Sequence, residues 1–299
     1  MCTQYKSLVY ILILNWNGWK DTVECIESCK KLDYPNFRML IVDNGSTDNS
    51  ETSLRDHFPD IELIQTGRNL GFAGGNNVGI KYALDRGADY IWLLNNDTVV
   101  APEALTELVI VAEDNKRAGI VGSKIYFYDE PQKIWFAGGG WRERKFFASH
   151  RGMHEIDTGQ FDKICEVDYI TGCSLLIKSI VIKEVGLMHE DYFLYWEDAD
   201  WNATVSEHGW KILYVPGSIV WHKISSSVKN NKYLEMRYYI RNGLYFFQRH
   251  EPKRIFLLII YIIVVFIKDK DNDYAKGHIN GLIDFFRRRI GKIDYCASK

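Results

Sequence analysis

Apolar and polar positions alternate along the first half of the chain in blocks of strand and helix length. The apolar blocks of strand length are residues 8–14, 38–42, 61–65 and 90–94. Helix-like stretches follow them at 19–31, 49–57 and 76–86, and a further helix is expected to begin at Pro102. Strands that alternate with helices predict βαβ units, and therefore an α/β fold with a mostly parallel sheet.

The second half of the chain has a less regular pattern. Residues 123–168 mix glycines, charges and aromatic residues, and we expect a loop or short strands over a site there. Strand signals resume within residues 169–178. Two more strands are predicted at 212–215 and 219–221, broken by the Pro216-Gly217 pair.

A polar segment follows each of the four predicted strands of the first half. These segments are residues 15–18, 43–48, 67–77 and 95–97. The carboxyl ends of parallel strands meet at one edge of a sheet, and ligands bind in the crevice outside that edge. The chemistry of the protein is therefore expected at these four segments.

Two of the segments suit a nucleotide. Asp43 ends a strand, and its carboxylate can accept a hydrogen bond from a ribose hydroxyl or a base N–H, although turn formation explains the same residues. Residues 67–75 are rich in glycine and lead to a helix N-terminus, which favours diphosphate, with Arg68 placed to pair with phosphate. The alternative is a tight connection, because the segment matches neither common phosphate-binding pattern.

Other polar residues suggest a metal and a base. Asn96 and Asp97 offer oxygen ligands to a divalent cation, or else a helix cap. Glu197 and Asp198 lie within an aromatic run, where burial raises a carboxylate pKa toward that of a general base. The alternative for this pair is the acidic first turn of a helix. His222 follows a strand and is either a structural residue or a metal ligand.

Composition indicates a folded protein, and the charge is unevenly distributed. The 299 residues are 46% hydrophobic and 25% charged, which excludes a disordered chain, and the net charge of −2 argues against a nucleic-acid partner. Residues 1–224 carry a net charge of −10 and residues 225–299 one of +8. Since the pattern also changes after the serines at 225–227, we predict a catalytic domain over 1–224 and a basic helical tail over 225–299.

The tail contains an apolar stretch that is short for a membrane span. Residues 255–267 are thirteen uncharged positions, whereas a spanning helix needs about 20. Two phenylalanines precede three arginines at 285–289, which is typical of an interfacial helix. Two interpretations of the tail are open: its apolar residues pack on the catalytic domain of residues 1–224, or they contact a membrane surface. The six cysteines show no disulfide or zinc pattern and no secretory signal opens the chain, so we expect the cytoplasmic face of a membrane.

Six segments, in this order along the chain, resemble the motifs of the family 2 glycosyltransferases, which have the GT-A fold. The motifs lie at residues 13–18, 42–48, 69–77, 93–98, 171–177 and 196–200. The resemblance covers roughly residues 7–224. It is greatest to the rhamnosyltransferase-like branch, which acts on polysaccharide or lipid-linked acceptors. A GT-A fold with a mixed, mostly parallel central sheet and a C-terminal helical segment is therefore expected.

The resemblance implies a metal and a donor site. Mg²⁺ or Mn²⁺ would bind Asp97, which ends an Asp-x-Asp element that reads Asn95-Asn96-Asp97 here, and His222 would be a second ligand. The implied nucleotide-sugar contacts are Asn15, Asn17, Asp43, Arg68, Asn69, Gly75, Asn76, Asn96 and Asp97.

The resemblance also implies an acceptor side. Asp198 would be the catalytic base that takes the proton of an acceptor hydroxyl, in a single displacement that inverts the anomeric centre. The implied acceptor contacts or site wall are Thr171, Gly172, Trp196 and Glu197.

These roles imply the partners of the protein. The donor would be a nucleoside-diphosphate sugar, with dTDP-rhamnose suggested by the branch, and the acceptor a glycan or a polyprenyl-linked glycan. The basic tail would contact the inner face of the cell membrane, and no nucleic acid is expected. Two other classes are open, a sugar-1-phosphate nucleotidyltransferase and a non-catalytic glycan-binding protein.

Overall fold

The computed structural model describes residues 6–141, 148–223, 231–268 and 272–293. Its helices are α1 Trp19–Cys29, α2 Ser50–His57, α3 Gly71–Asp85, α4 Ala104–Asp114, α5 Ser179–Val185, α6 Glu197–Glu207, α7 Lys232–His250, α8 Ile255–Lys268 and α9 Asp273–Phe286. Its longer strands are β1 Val9–Asn15, β2 Phe37–Asp43, β3 Glu62–Gln65, β4 Tyr90–Asn95, β6 Ala118–Phe127, β11 Ser174–Lys178 and β12 Lys211–His222. The short strands are β5 Thr98–Val100, β7 Ile134–Phe136, β8 Gly139–Gly140, β9 Ser149–His150 and β10 Cys165–Glu166.

A mixed sheet forms the centre of the described part of the molecule. Its main order is β10-β12-β6-β11-β4-β1-β2-β3, with β5 on β12 and β7 on β6. The pairs β4–β1, β1–β2, β2–β3 and β6–β12 are parallel, whereas β11 runs antiparallel to both of its neighbours. The predicted alternation of strands and helices in the first half is confirmed. It arises because β1 and its neighbours are buried on both faces and their apolar runs can be covered only by helices on each side.

The register of the sheet brings the predicted polar segments to one edge. Asn15, the last residue of β1, lies opposite Asp43, and Asp43 lies opposite Gln65, the last residue of β3. Leu14 lies opposite Asn95 at the end of β4. The four strand ends are therefore level with one another, as the sequence predicts.

Helix α3 begins earlier than the predicted residue 76. Gly71 already starts the helix, with a φ of +78°. A Cβ at Gly71 would lie 2.3 Å from the carbonyl oxygen of Phe193, so only glycine fits this entry to the helix. The prediction was wrong because glycine is a poor helix former, and the helix here is held by its packing instead.

The C-terminal half corrects two further predictions. Residues 212–215 and 219–221 belong to one strand, β12, whose register against β6 shifts between Val215 and Ile219. This bulge lets the strand pass Pro216 without a break. Ser123 is also fully buried within β6, so the irregular middle segment begins later than predicted.

Helix α7 packs into the core of the body. Its buried apolar residues Ile240, Leu244, Phe246 and Phe247 belong to the same cluster as the central strands. The guanidinium of Arg237 pairs with the carboxylate of Asp284, which ties α7 to α9. The predicted boundary between residues 224 and 225 falls within 224–230, outside the described residues.

Leu244 and Leu257 offer a matched test of this packing within the C-terminal segment. Leu244 is fully buried on α7, whereas Leu257 on α8 is 52% exposed. We expect Leu244→Ala to lower the free energy of unfolding by about 2–5 kcal/mol through lost burial and a cavity. Leu257→Ala should change it by about 0.5 kcal/mol or less. Urea unfolding of both variants measures the difference, and equal effects would contradict a shared core.

Candidate active site

A chain of hydrogen bonds runs along the carboxyl edge of the sheet. The Asn96 side-chain amide donates to the Thr22 hydroxyl over 3.0 Å, and that hydroxyl donates to Asn15 Oδ1 over 2.9 Å. Asn15 Nδ2 donates to Asp43 Oδ2 over 2.8 Å, and Gln65 Nε2 donates to Asp43 Oδ1 over 2.9 Å. Three of the predicted donor-site residues are thereby joined. Sequence reasoning missed Thr22 and Gln65, although Gln65 ends a predicted strand and so carried a positional signal.

Asp43 is the centre of this chain. Its side chain is fully buried, and Oδ1 also accepts the backbone N–H of Ser46 over 2.8 Å. Three donors thus satisfy the carboxylate, and they fix the turn that follows β2. Asp43 therefore stabilises the turn after β2, as one interpretation of the sequence predicts, and its contact with a nucleotide stays a prediction.

Polar residues of the neighbouring loops surround this edge. Asn17 has a φ of +53°, and its Oδ1 accepts the backbone N–H of Thr47 over 2.8 Å. Asn69 Oδ1 accepts the N–H of Gly71 over 2.8 Å at the start of α3. The side chain of Arg68 is exposed in the same loop. These three predicted donor residues therefore lie on loops at the same edge of the sheet.

Two other predicted donor residues are buried by the packing of α3. A Cβ at Gly75 would lie 2.5 Å from Leu14 Cδ1, so glycine lets the helix approach β1 closely. The Asn76 amide donates to the carbonyl of Phe72 within the same helix, and the residue is 2% exposed. Their contact with a nucleotide sugar stays a prediction.

Asp97 and His222 form the predicted metal pair. His222 Nε2 lies 3.1 Å from Asp97 Oδ1, because His222 ends β12 opposite Thr98. Burial alone would lower the pKa of His222, but the Cys173 sulfur and the Asp97 carboxylate outweigh it and raise the pKa to about 10.

This pair has the donor set for a weakly held cation. Nε2 is the ring nitrogen of His222 that faces the Asp97 carboxylate, and Nδ1 is buried without a hydrogen-bond partner. Across the described residues, His, Cys, Asp and Glu side chains form no group of three or more that could hold a metal. One carboxylate and one imidazole fit Mg²⁺ or Mn²⁺ when substrate phosphates complete the coordination. His222 must lose a ring proton to bind a cation, and its pKa of about 10 opposes that loss, so the pair would hold a cation weakly.

Asp198 lies in the first turn of α6 and meets the predicted 171–172 segment. Its Oδ2 accepts the backbone N–H of Gly172 over 2.9 Å, and its Oδ1 accepts that of Ala199 over 2.7 Å. Burial raises the pKa of Asp198, and these N–H groups and the Thr171 hydroxyl partly offset the rise. The side chain is only half-buried, so an oriented carboxylate of raised basicity is accessible at this point.

Trp196 and Glu197 precede Asp198 and are buried. The Trp196 ring packs against Phe246 and Phe247 of α7 at centroid distances of 4.9 and 5.6 Å. Glu197 is 5% exposed, and burial together with the neighbouring Asp198 raises its pKa well above the usual value. Both residues support Asp198 from the interior, and their contact with an acceptor stays a prediction.

Two solved structures share this fold. The mannosyltransferase PcManGT from Pyrobaculum calidifontis, in complex with GDP-Man and Mn²⁺, has a TM-score of 0.60 and 12% identity, over 94% of this chain and 87% of that chain. GalNAc-T7, with UDP, GalNAc and Mn²⁺, has a TM-score of 0.58 and 14% identity, over 86% of this chain and 57% of that chain. The predicted GT-A fold is confirmed.

Curated relatives support the rhamnosyltransferase-like branch. The dTDP-rhamnosyl transferase RfbF of Shigella flexneri is 24% identical over 98% of this chain and 100% of its own length. The N-acetylglucosaminyl-diphospho-decaprenol L-rhamnosyltransferase of Mycobacterium tuberculosis is 26% identical over 62% of this chain and 66% of its own length.

The sequence model of the family described as "Glycosyl transferase family 2" matches residues 10–183. The match spans more than half of the chain and includes the polar edge built from Asn15, Asp43 and Asp97. Asp198 and His222 lie beyond it. The chain therefore belongs to glycosyl transferase family 2, within its rhamnosyltransferase-like branch, and is a glycosyltransferase.

Proposed function

We propose that the protein transfers rhamnose from dTDP-rhamnose to a hydroxyl of a lipid-linked or polysaccharide glycan, with inversion. The observation that carries this proposal is the half-buried Asp198 carboxylate, held by the Gly172 N–H and given a raised pKa by burial. The names of two relatives support the sugar, and one of them supports a lipid-linked acceptor. The domain over residues 1–224 would carry the reaction, assisted by α7.

Asp198 takes the acceptor proton in the proposed mechanism. The acceptor oxygen forms a bond to the anomeric carbon as its proton moves to Asp198, and the bond from that carbon to the dTDP oxygen breaks. The Gly172 and Ala199 N–H groups hold the carboxylate in one orientation. Its raised pKa strengthens it as a base but leaves it ionised only above that pKa, so activity is lost as the pH falls.

A divalent cation would be held by Asp97 and His222. When bound, it offsets the negative charge that develops on the departing diphosphate. The buried carboxylate and imidazole, 3.1 Å apart, support this assignment. Arg68 and Asn69 would contact the donor from the loop before α3.

Replacement of Asp198 tests the base. We expect Asp198→Asn to lower the transfer rate by about 100-fold or more while dTDP binding is retained, because the amide cannot accept the proton. Rhamnose transfer and dTDP release are measured by chromatography, with Asp191→Asn as an exposed acidic control in the preceding segment. Full transfer by Asp198→Asn would contradict the role of Asp198 as the base. Pyrophosphate release by the wild type would indicate a nucleotidyltransferase.

Calorimetry of dTDP binding tests the metal pair. For the wild type, Mn²⁺ should tighten dTDP binding, because a cation held by Asp97 would offset the negative charge of the diphosphate. For Asp97→Ala we expect dTDP to bind weakly, with the same dissociation constant in the presence and absence of Mn²⁺. The exposed Asp60→Ala serves as the control and should keep the metal effect. A wild-type dissociation constant that does not respond to Mn²⁺ would refute metal-assisted donor binding.

We also propose that α8 contacts the inner leaflet of the cell membrane. None of the described helices is long and apolar enough to cross a membrane. Six large apolar side chains of α8 are nevertheless 41–71% exposed: Phe256, Leu257, Ile260, Ile263, Val264 and Ile267. Their spacing places them on one helical face, opposite the buried Leu258 and Ile262. An apolar surface of this size is typical of an interaction site.

Charge favours a membrane over a second protein molecule. Lys253 and Lys268 are exposed at the two ends of α8, and Arg287 and Arg288 are exposed beyond α9. The ring of Tyr261 on α8 contacts that of His278 on α9, so the two helices pack against each other. Cations that flank an apolar face match an anionic leaflet, each worth about 1 kcal/mol, whereas a second copy would bring like charges together.

Vesicle co-sedimentation tests the membrane contact. We expect the wild type to sediment with phosphatidylglycerol-containing vesicles at low salt and less with phosphatidylcholine alone. Phe256→Ser/Ile267→Ser should lose binding because the inserted face becomes polar. Ile164→Ser/Ile180→Ser changes side chains of similar exposure, 54% and 60%, on the body and should bind normally. No sedimentation of the wild type, or a dimer abolished only by the α8 variant, would overturn the proposal.

A further inference from the structure

The segment that leads into α6 has a strained backbone. Phe193, Tyr195 and Trp196 have φ values of +63°, +68° and +76°. None of the three is glycine, and the left-handed region is unfavourable for bulky side chains. Such a conformation persists only where the surroundings hold it, and it ends two residues before Asp198.

Every carbonyl of residues 192–196 accepts a hydrogen bond. The carbonyl of Phe193 accepts the Phe72 N–H over 2.8 Å, and that of Trp196 accepts the Asp200 N–H over 2.8 Å. The other three, of Tyr192, Leu194 and Tyr195, are all within reach of one side-chain amide.

That amide belongs to Asn242 of α7. Its Nδ2 lies 2.8 Å from the Tyr192 oxygen, 2.7 Å from that of Leu194 and 3.0 Å from that of Tyr195. An amide NH₂ carries two hydrogens, so one is shared between two carbonyls. Asn242 is fully buried, so its amide depends on protein acceptors for its hydrogen bonds.

Arg241 orients the amide of Asn242. Its Nε donates to Asn242 Oδ1 over 2.9 Å, which leaves Nδ2 facing the three carbonyls. Its Nη2 donates to the carbonyl of Gly291 over 2.9 Å and lies 3.3 Å from that of Tyr192. One turn of α7 thus presents two adjacent side chains that hold the segment 192–196.

The next residue of α7 brings the helix close to the same segment. A Cβ at Gly243 would lie 3.1 Å from the Trp196 ring, so glycine leaves the room that this ring occupies. Trp196 immediately precedes the first residue of α6, and Asp198 is the second residue of that helix.

We propose that Asn242, oriented by Arg241, is a positioning residue for glycosyl transfer. It holds the segment 192–196, in which Phe193, Tyr195 and Trp196 are left-handed, and thereby fixes the direction of the Asp198 carboxylate. Removal of the amide takes away the donor to the carbonyls of Leu194 and Tyr195, whereas that of Tyr192 keeps the Leu194 N–H and Arg241. The strained segment then relaxes to another conformation. This inference rests on the proposed role of Asp198 as the base.

The test compares Asn242→Leu with Arg237→Gln. Leucine has the same number of side-chain heavy atoms as asparagine, equally branched, but no donor. Arg237→Gln, on the same helix as Asn242, breaks the pair with Asp284 of α9. We expect Asn242→Leu to lower kcat by about 100-fold with KM for the donor within about threefold, because misplacement of a catalytic group acts on the reaction step. Arg237→Gln should lower Tm and keep kcat.

A second readout is independent of activity. The segment Tyr192–Trp196 is rich in residues after which chymotrypsin cleaves, so native-state digestion reports whether it is held. Faster cleavage at this segment is expected for Asn242→Leu and not for Arg237→Gln. If Asn242→Leu fails to fold, Asn242→Ser retains one donor and should show smaller effects in the same direction.

The outcomes separate this inference from the proposed function. An unchanged kcat and unchanged cleavage in folded Asn242→Leu or Asn242→Ser would overturn the positioning role. A parallel loss of kcat and donor binding would also overturn it, since that is the effect of general structural damage. If the wild type transfers no rhamnose, the proposed function fails, and the cleavage pattern alone then decides whether Asn242 holds the segment.

Discussion

The buried carboxylate of Asp43 is the interaction on which the polar edge of the sheet depends. A buried charge is costly unless hydrogen bonds satisfy it, and Asp43 has Asn15, the Ser46 N–H and Gln65 as donors. These partners come from the ends of β1 and β3 and from the turn after β2. One carboxylate therefore fixes the relative position of three loops, and the bond chain through Asn15 extends this order to Asn96, beside the predicted metal ligand Asp97.

The opposite side of the site depends on a different set of contacts, between α6 and α7. Asp200 of α6 is buried and accepts hydrogen bonds from the Tyr192 hydroxyl over 2.8 Å and from His250 Nε2 over 2.9 Å. Burial alone would lower the pKa of His250, but Asp200 and Glu207 raise it and favour the charged ring. Helix α7 thus stabilises α6, the helix that carries Asp198, although the charge pattern predicts that α7 belongs to a basic tail. The exposed apolar face belongs to α8. Helix α7 is therefore part of the core, whereas α8 keeps most of its apolar side chains on the surface.

Much of the fold was predictable because the relevant patterns are local. A run such as 8–14 has the length and apolar character of a buried strand, and the order of the six motifs identified the family. The start of α3 was missed because the three glycines and one alanine of residues 71–75 are typical of a loop. Only the packing against Phe193 and Leu14 shows why small residues are needed there. The continuity of β12 was missed for a similar reason, since the neighbouring strand β6 supports the bulge at Pro216.

The sequence by itself determined the strands β1 to β4, the polar residues at their carboxyl ends, the family and the unequal charge of the two parts of the chain. Only the tertiary structure decided which distant residues meet: His222 with Asp97, Gly172 with Asp198, and Asn242 with the carbonyls of Tyr192, Leu194 and Tyr195. The physical reason is that apolar periodicity encodes burial within one element, whereas a side-chain contact depends on strand register and helix packing between elements. Asn242 shows this limit most clearly, because nothing in its local sequence distinguishes a buried amide with three acceptors from an ordinary polar residue of a helix.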